Sequence, residues 1–255
     1  MDRVPAVSSA FASDNAAPAH PIAVEAIVAA NTGTTTSYGD DPVTQRAADR
    51  VRETFDSPNA EVLFAFTGTG ADIIALASAV RPFHEILCSD IAHSLLDEAG
   101  GPTLVSGASL VALPSDDGIL DPAQLDRRIT RRGDVHHSQP RIVTITQSTE
   151  NGRVWQPDAI AAFIDHAHEL DLLVHVDGSR IANAIATLDV PPALAVGDAD
   201  IVTIGGHQER DAVRRRDPGA PPRALRGHRV RPEADRSPGE QTPLCISTIR
   251  RHAHR

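Results

Sequence analysis

The chain has 255 residues, 41% of them hydrophobic, and a formal net charge of −10. That length suits one large globular domain, and the acidic balance argues against nucleic acid as a main partner. No apolar run reaches the roughly 18 residues of a membrane helix, no basic-then-apolar leader opens the chain, and Cys88 and Cys245 are too few for a disulfide scaffold, so a cytoplasmic setting is expected.

In chain order, Pro21 to Ala30 reads as a helix with proline in its first turn. Asp41-Pro42 leads into a second helix from about Val43 to Phe55. Val62 to Phe66 is a short apolar run of the buried-strand type. Thr67-Gly68-Thr69-Gly70 follows, then a helix from Ala71 to Val80. Glu85–Cys88 and Ser109–Ala112 read as strands, and Asp121-Pro122 caps a helix to about Arg132. Arg141–Thr146 is a strand, Gln156–Leu170 a helix, and Leu172–Val176 a strand ending in Asp177. Ser179–Leu188 is helical, and Asp200–Ile204 is a last strand. This alternation predicts an α/β domain with a mostly parallel sheet. In such a sheet the ligand crevice lies beyond the carboxyl ends of the strands.

Four strand ends carry residues suited to a site. Gly68, Thr69 and Gly70 either cradle a phosphate at a helix N-terminus or simply make the turn. Asp177 is either the cap of the next helix or a carboxylate held for a protonated ring nitrogen, with Arg180 binding an anion. His93, just after the Cys88 strand, either stacks on a flat cofactor or caps a helix at the surface. Gln147 to Gly152 is either only a turn or a turn that puts Glu150 and Asn151 at the crevice. His136-His137 lacks a third ligand at fixed spacing, so no metal is expected.

Together these segments resemble the low-specificity threonine aldolases, pyridoxal-phosphate enzymes of fold type I in the beta-eliminating lyase superfamily. The matching pieces run in order: Ser13-Asp14-Asn15, Ala30-Asn31, Tyr38-Gly39-Asp40-Asp41, Thr67-Gly68-Thr69, Ala92-His93, Thr149-Glu150-Asn151-Gly152 and His175 to Arg180. Asp198-Ala199-Asp200 and Gly205-Gly206 extend the match across residues 8–206. The resemblance implies the large domain of fold type I, truncated, with the family's small C-terminal domain absent. It implies cleavage of a β-hydroxy-α-amino acid to glycine and an aldehyde, in a homo-oligomer, dimer or tetramer. Gly68, Thr69 and Gly70 would hold the cofactor phosphate, His93 would stack on the ring, and Asp177 would keep the ring nitrogen protonated. Arg180 and Ser13 would take the substrate carboxylate. Tyr38 and His136 would line the site, either that of their own subunit or that of a neighbouring one, with a histidine such as His136 helping to move the hydroxyl proton. Two departures are mild: Asp72 stands where the family has asparagine, and Ser179 where it has alanine.

A third departure touches the reaction itself. After its double glycine the family reads threonine–lysine–asparagine–glycine, and that lysine forms the Schiff base. Here His207-Gln208-Glu209-Arg210-Asp211 follows, and all 24 basic residues of the chain are arginines. No mechanism that needs a lysine amine is open to it, so covalent attachment of the cofactor is not expected. The composition breaks at the same point. Residues 1–206 hold 12 arginines against 28 acids; residues 207–255 hold 12 against 6 and no aromatic residue. Written as CAC CAA GAA CGG GAT GCN, residues 207–212 read one base later give threonine–lysine–asparagine–glycine–methionine. Arg231 to Arg236, written as CGN CCG GAA GCA GAC CGG, gives arginine–lysine–glutamine–threonine–glycine in the same shifted frame, which also resembles the family. The expectation is a one-base frameshift near residue 206. On that view residues 1–206 are an aldolase-like large domain and 207–255 an Arg/Pro-rich, out-of-frame tail without order. A non-catalytic remnant, or another amino-acid lyase on the same scaffold, is the alternative.

Overall fold

The computed structural model describes residues 19–205 and the backbone of 246–250. Two helices come first, α1 (Pro21–Ala30) and α2 (Pro42–Thr54). Asp41 starts α2 by accepting the Val43 and Thr44 amides on Oδ1, each at 2.9 Å, while Pro42 presets the first turn. Then come β1 (Glu61–Ala65), α3 (Gly68–Ala79), β2 (His84–Ser89), α4 (His93–Leu96), α5 (Gly101–Ser106) and β3 (Ser109–Leu113). After α6 (Pro122–Arg128), β4 (Gln139–Thr146) and α7 (Pro157–Glu169) come β5 (Leu173–Gly178), α8 (Ile181–Leu188), α9 (Pro192–Val196), β6 (Ile201–Ile204) and β7 (Ile246–Arg250).

The strands form one seven-stranded sheet in the order β1-β7-β6-β5-β4-β2-β3. Every pairing is parallel except those of β7, which runs antiparallel to both β1 and β6. The domain is thus α/β with a mostly parallel sheet, as the alternation predicts. β2, β5 and β6 are buried almost throughout, because helices cover both faces of a parallel sheet and leave no wet side. The larger core gathers Val143, Val174, Val176 and Val202 of the sheet with Ile160, Phe163 and Ile164 of α7. The opposite face packs Ile86 and Ile142 against Ala75 and Leu76 of α3. Glu85 on β2, a buried carboxylate, receives a forked pair of hydrogen bonds from Arg128 at the end of α6.

Three helices escape the sequence reading. α4, α5 and α9 have only four, six and five residues, too few turns to show a 3.6-residue period. α6 stops at Arg128 rather than near Arg132, where the chain leaves for an exposed loop. Of the tail expected to lack order, only the backbone of 246–250 is described, and it forms β7; the rest lies outside the described residues. α1 buries none of its residues; Ile22, Val24, Ile27 and Val28 all stand exposed.

Candidate active site

A cavity of about 410 Å³ opens where β1, β2, β4, β5 and β6 end. That is the carboxyl edge of the sheet, where open α/β folds bind ligands. Its lining comes from five chain exits, Phe66 to Thr69 after β1, His93 after β2, Thr146, Ser148 and Glu150 at β4, Asp177, Ser179 and Arg180 at β5, and Gly205 after β6, together with Asp72 from the first turns of α3.

The first wall is the start of α3. Thr67 caps the helix, its Oγ1 accepting the Gly70 amide at 3.0 Å. Gly70 is therefore committed to the cap and does not line the cavity, whereas Gly68 and Thr69 do. A twelve-residue helix presents its positive end here, so an anion is favoured. The facing turn is close: a Cβ placed on Gly68 would lie 3.6 Å from Ser179 Oγ.

The floor is set by two glycines. A Cβ on Gly178 would meet the Thr203 carbonyl at 2.6 Å, and one on Gly205 the Ser179 carbonyl at 2.5 Å. Backbone meets backbone at both points, so no side chain fits and the ends of β5 and β6 press together. Asp177 sits on this floor with only 5% exposure. Its Oδ1 accepts the Ser179 amide at 2.9 Å, which fixes the turn after β5; the cap of the next helix is Arg180, with no side-chain cap bond, so Asp177 is not its helix cap. Arg180 lines the cavity and begins α8.

His93 closes another side. Its amide donates to Glu150 Oε1 at 2.7 Å, so Glu150 supplies α4 with the N-terminal cap that Ala92 cannot. Thr146 Oγ1 donates to the same oxygen at 2.9 Å. His93 Nδ1 lies 3.2 Å from Glu98 Oε1. That bond, helped by the negative charge of Glu98, outweighs partial burial and holds the imidazole more basic than usual.

Behind the floor lies a buried polar layer. His175 is 1% exposed, and burial pushes its pKa down to about 4, so the ring is neutral. Its Nδ1 meets Thr144 Oγ1 at 2.8 Å and its Nε2 meets Thr203 Oγ1 at 3.3 Å. Thr203 Oγ1 donates in turn to Asp72 Oδ1 at 2.7 Å. Asp72 is 2% exposed. Burial first, then the charges of Asp177 and Glu98, raise its pKa well above the usual carboxylate value.

The structure thus brings Gly68, Thr69, His93, Asp177 and Arg180 together. It does not bring in Tyr38 or His136. Tyr38 is fully exposed in the loop before α2. His136 is exposed in the loop that enters β4, its amide bonded to Asp134. The eight-residue β4 separates it from the cavity by about 23 Å at the usual strand rise. His136 therefore cannot move a proton at this cavity within its own chain. Asn151 turns away to Asp117 Oδ1 at 3.2 Å. Ser13, His207 and Gln208 lie outside the described residues. Glu98 escapes the sequence reading, because a glutamate five residues past a histidine in a broken helical segment carries no periodic signal.

Comparison with known proteins agrees with this geometry. Residues 10–211 match the family described as beta-eliminating lyase. The chain is 42% identical over 209 residues to a low specificity L-threonine aldolase of Pseudomonas sp., covering 81% of this chain and 60% of that protein. It is 40% identical over 206 residues to the enzyme of the same name from Pseudomonas aeruginosa, covering 80% and 59%. Among solved structures it superposes on a Leishmania major threonine aldolase with a TM-score of 0.73 and 25% identity, over 77% of this chain and 58% of that one. The chain spans about 60% of the length of the curated relatives it matches. With the match covering most of its residues, the chain belongs to the beta-eliminating lyase family.

Proposed function

We propose that residues 1–206 are the pyridoxal-phosphate domain of a threonine-aldolase-type lyase, acting on threonine or related β-hydroxy-α-amino acids to give glycine and an aldehyde. One observation carries the reading: a carboxylate with 5% exposure, Asp177, shares a cavity with the open N-terminus of α3. A phosphate fits the helix end, and a protonated ring nitrogen answers the buried charge, which is costly without a positive partner. Gly68 and Thr69 would hold the phosphate, Asp177 the ring nitrogen, and His93 the ring face. Bound there, pyridoxal phosphate supplies an electron sink for charge left on the substrate α-carbon. Arg180 suits the substrate carboxylate, with Ser13 its expected helper. Glu150 and Glu98 fix His93 from both ends, which keeps the imidazole in one orientation against the cavity.

No lysine exists anywhere in the chain, so these residues hold the cofactor without a covalent bond. The polypeptide as written is then catalytically impaired or inert, the product of a one-base frameshift near codon 206. The absent lysine favours this non-catalytic remnant as the second reading. The unburied apolar face of α1 supports the homo-oligomer that the family implies, and we place the protein in the cytoplasm.

Deleting one base at codon 207 tests the function. The reframed product, given pyridoxal phosphate and threonine, should release glycine and acetaldehyde in equal amounts. Release of ammonia and a keto acid instead would assign another lyase activity. Cofactor binding with no turnover of any hydroxy amino acid would refute the aldolase reading.

A further inference from the structure

Glu98 presents a contradiction that ionised carboxylates cannot resolve. Its side chain is fully buried. Oε1 faces His93 Nδ1, but Oε2 is buried and has no hydrogen-bond donor among the described residues if every aspartate is ionised. A buried acceptor left without a donor costs about 1–3 kcal/mol, more when charged. The Asp72 carboxyl lies within hydrogen-bonding reach of the Glu98 carboxyl. Two carboxylates side by side, both almost out of water, repel strongly unless one keeps a proton.

The polar layer behind the floor decides which one does. Neutral His175 has one donor and one acceptor nitrogen. Thr203 donates its proton to Asp72 Oδ1, so the Thr203 oxygen is left to accept from His175 Nε2–H. His175 Nδ1 then accepts from Thr144. Every bond in this series points the same way, from Thr144 through His175 and Thr203 into Asp72. Asp72 Oδ1 is an acceptor, so its other oxygen is the place for a proton directed at Glu98.

We propose that Asp72 is a neutral carboxylic acid donating to Glu98, and that this bond positions Glu98 to hold His93 protonated on the cavity wall. Asp72 is thus a positioning residue acting through Glu98, and asparagine at this position would donate in the same way. Only the choice of His93 as the beneficiary rests on the reading of the cavity; the protonation state of Asp72 does not. The groups facing Asp72 are Glu98, Asp177 and His175. Those facing His93 are Glu98, Asp177, Asp97 and Glu150.

The test is a pH titration by NMR of the cofactor-free chain, with carbon-13 in the aspartate carboxyls and nitrogen-15 in the histidines. The Asp72 carboxyl should keep the shift of a protonated acid from pH 4 to 8. Asp72→Asn should leave the His93 midpoint within about 0.3 unit, because a donor replaces a donor and no charge is lost. Glu98→Gln should lower that midpoint by about one unit. An Asp72 carboxyl that ionises near pH 4 in the unaltered chain would overturn the proposal, whatever the variants do. A fall of the His93 midpoint by about one unit in Asp72→Asn would overturn it too, since only a charged Asp72 has that effect. None of these readouts needs cofactor or turnover, so failure of the lyase reading would leave the result standing.

Discussion

Borohydride treatment of the 255-residue chain loaded with pyridoxal phosphate should fix no cofactor to any side chain. After denaturation and dialysis, peptide mapping should find none between residues 2 and 255. The reason is chemical: only a primary amine on a side chain condenses with the cofactor aldehyde to give a reducible bond, and all 24 basic residues are arginines. The one-base-deleted product should trap close to one cofactor per chain, on the lysine three residues after Gly205. That amine would follow β6, which pairs with the Asp177 strand, so both reach one crevice. Threonine cleavage by the chain as written should fall at least about a thousand-fold below that of the reframed product, roughly 4 kcal/mol of barrier. A labelled side chain in the unaltered protein would contradict this.

Asp177→Asn separates a site carboxylate from a structural one. The amide keeps an oxygen for the Ser179 amide, now 2.9 Å from Oδ1, but loses the charge. A charge-assisted bond to a protonated ring nitrogen is worth about 2–3 kcal/mol more than what remains, so cofactor affinity should drop about 30- to 150-fold. The cofactor-free fold should respond in the opposite sense. Asp177 is almost fully buried, and removing its charge removes the cost of keeping that charge out of water. Urea unfolding should therefore show an unchanged or higher midpoint. Lower stability with unchanged affinity would make Asp177 a fastener of the turn after β5 and nothing more. Isothermal titration with pyridoxal phosphate and urea melts of the same preparation read both quantities.

Much of this was legible in the residues because the informative parts are local. The buried strands announce themselves as continuous branched runs, such as Leu173–Val176, and Asp41, Thr67 and Asp121 mark helix starts by side chains that accept the next amides. Asp177 and the α3 glycines are legible for the same reason: they sit at strand ends, and strand ends face the crevice. What sequence hides is which end of a strand a residue flanks in space. His136 precedes β4 and Glu150 follows it, and the eight residues between put them at opposite edges of the sheet. The Glu98–His93 and Asp72–Thr203 contacts were hidden too. The first spans a break between two short helices, and the second joins residues 131 positions apart. No periodicity links such pairs; only the fold does.

The claim that a change of frame removed the lysine is tested most directly by the gene itself, across codons 207 to 211. The account predicts third bases C, A, A, G and T in that order. In particular Gln208 must be CAA, because only then does the shifted triplet AAG encode lysine. In a genome that favours arginine so heavily, CAG is the codon that chance would choose. Finding CAA at codon 208 and GAA at codon 209 would place threonine–lysine–asparagine–glycine one base out of register. Finding CAG at codon 208 would turn the shifted triplet into an arginine codon and contradict the account.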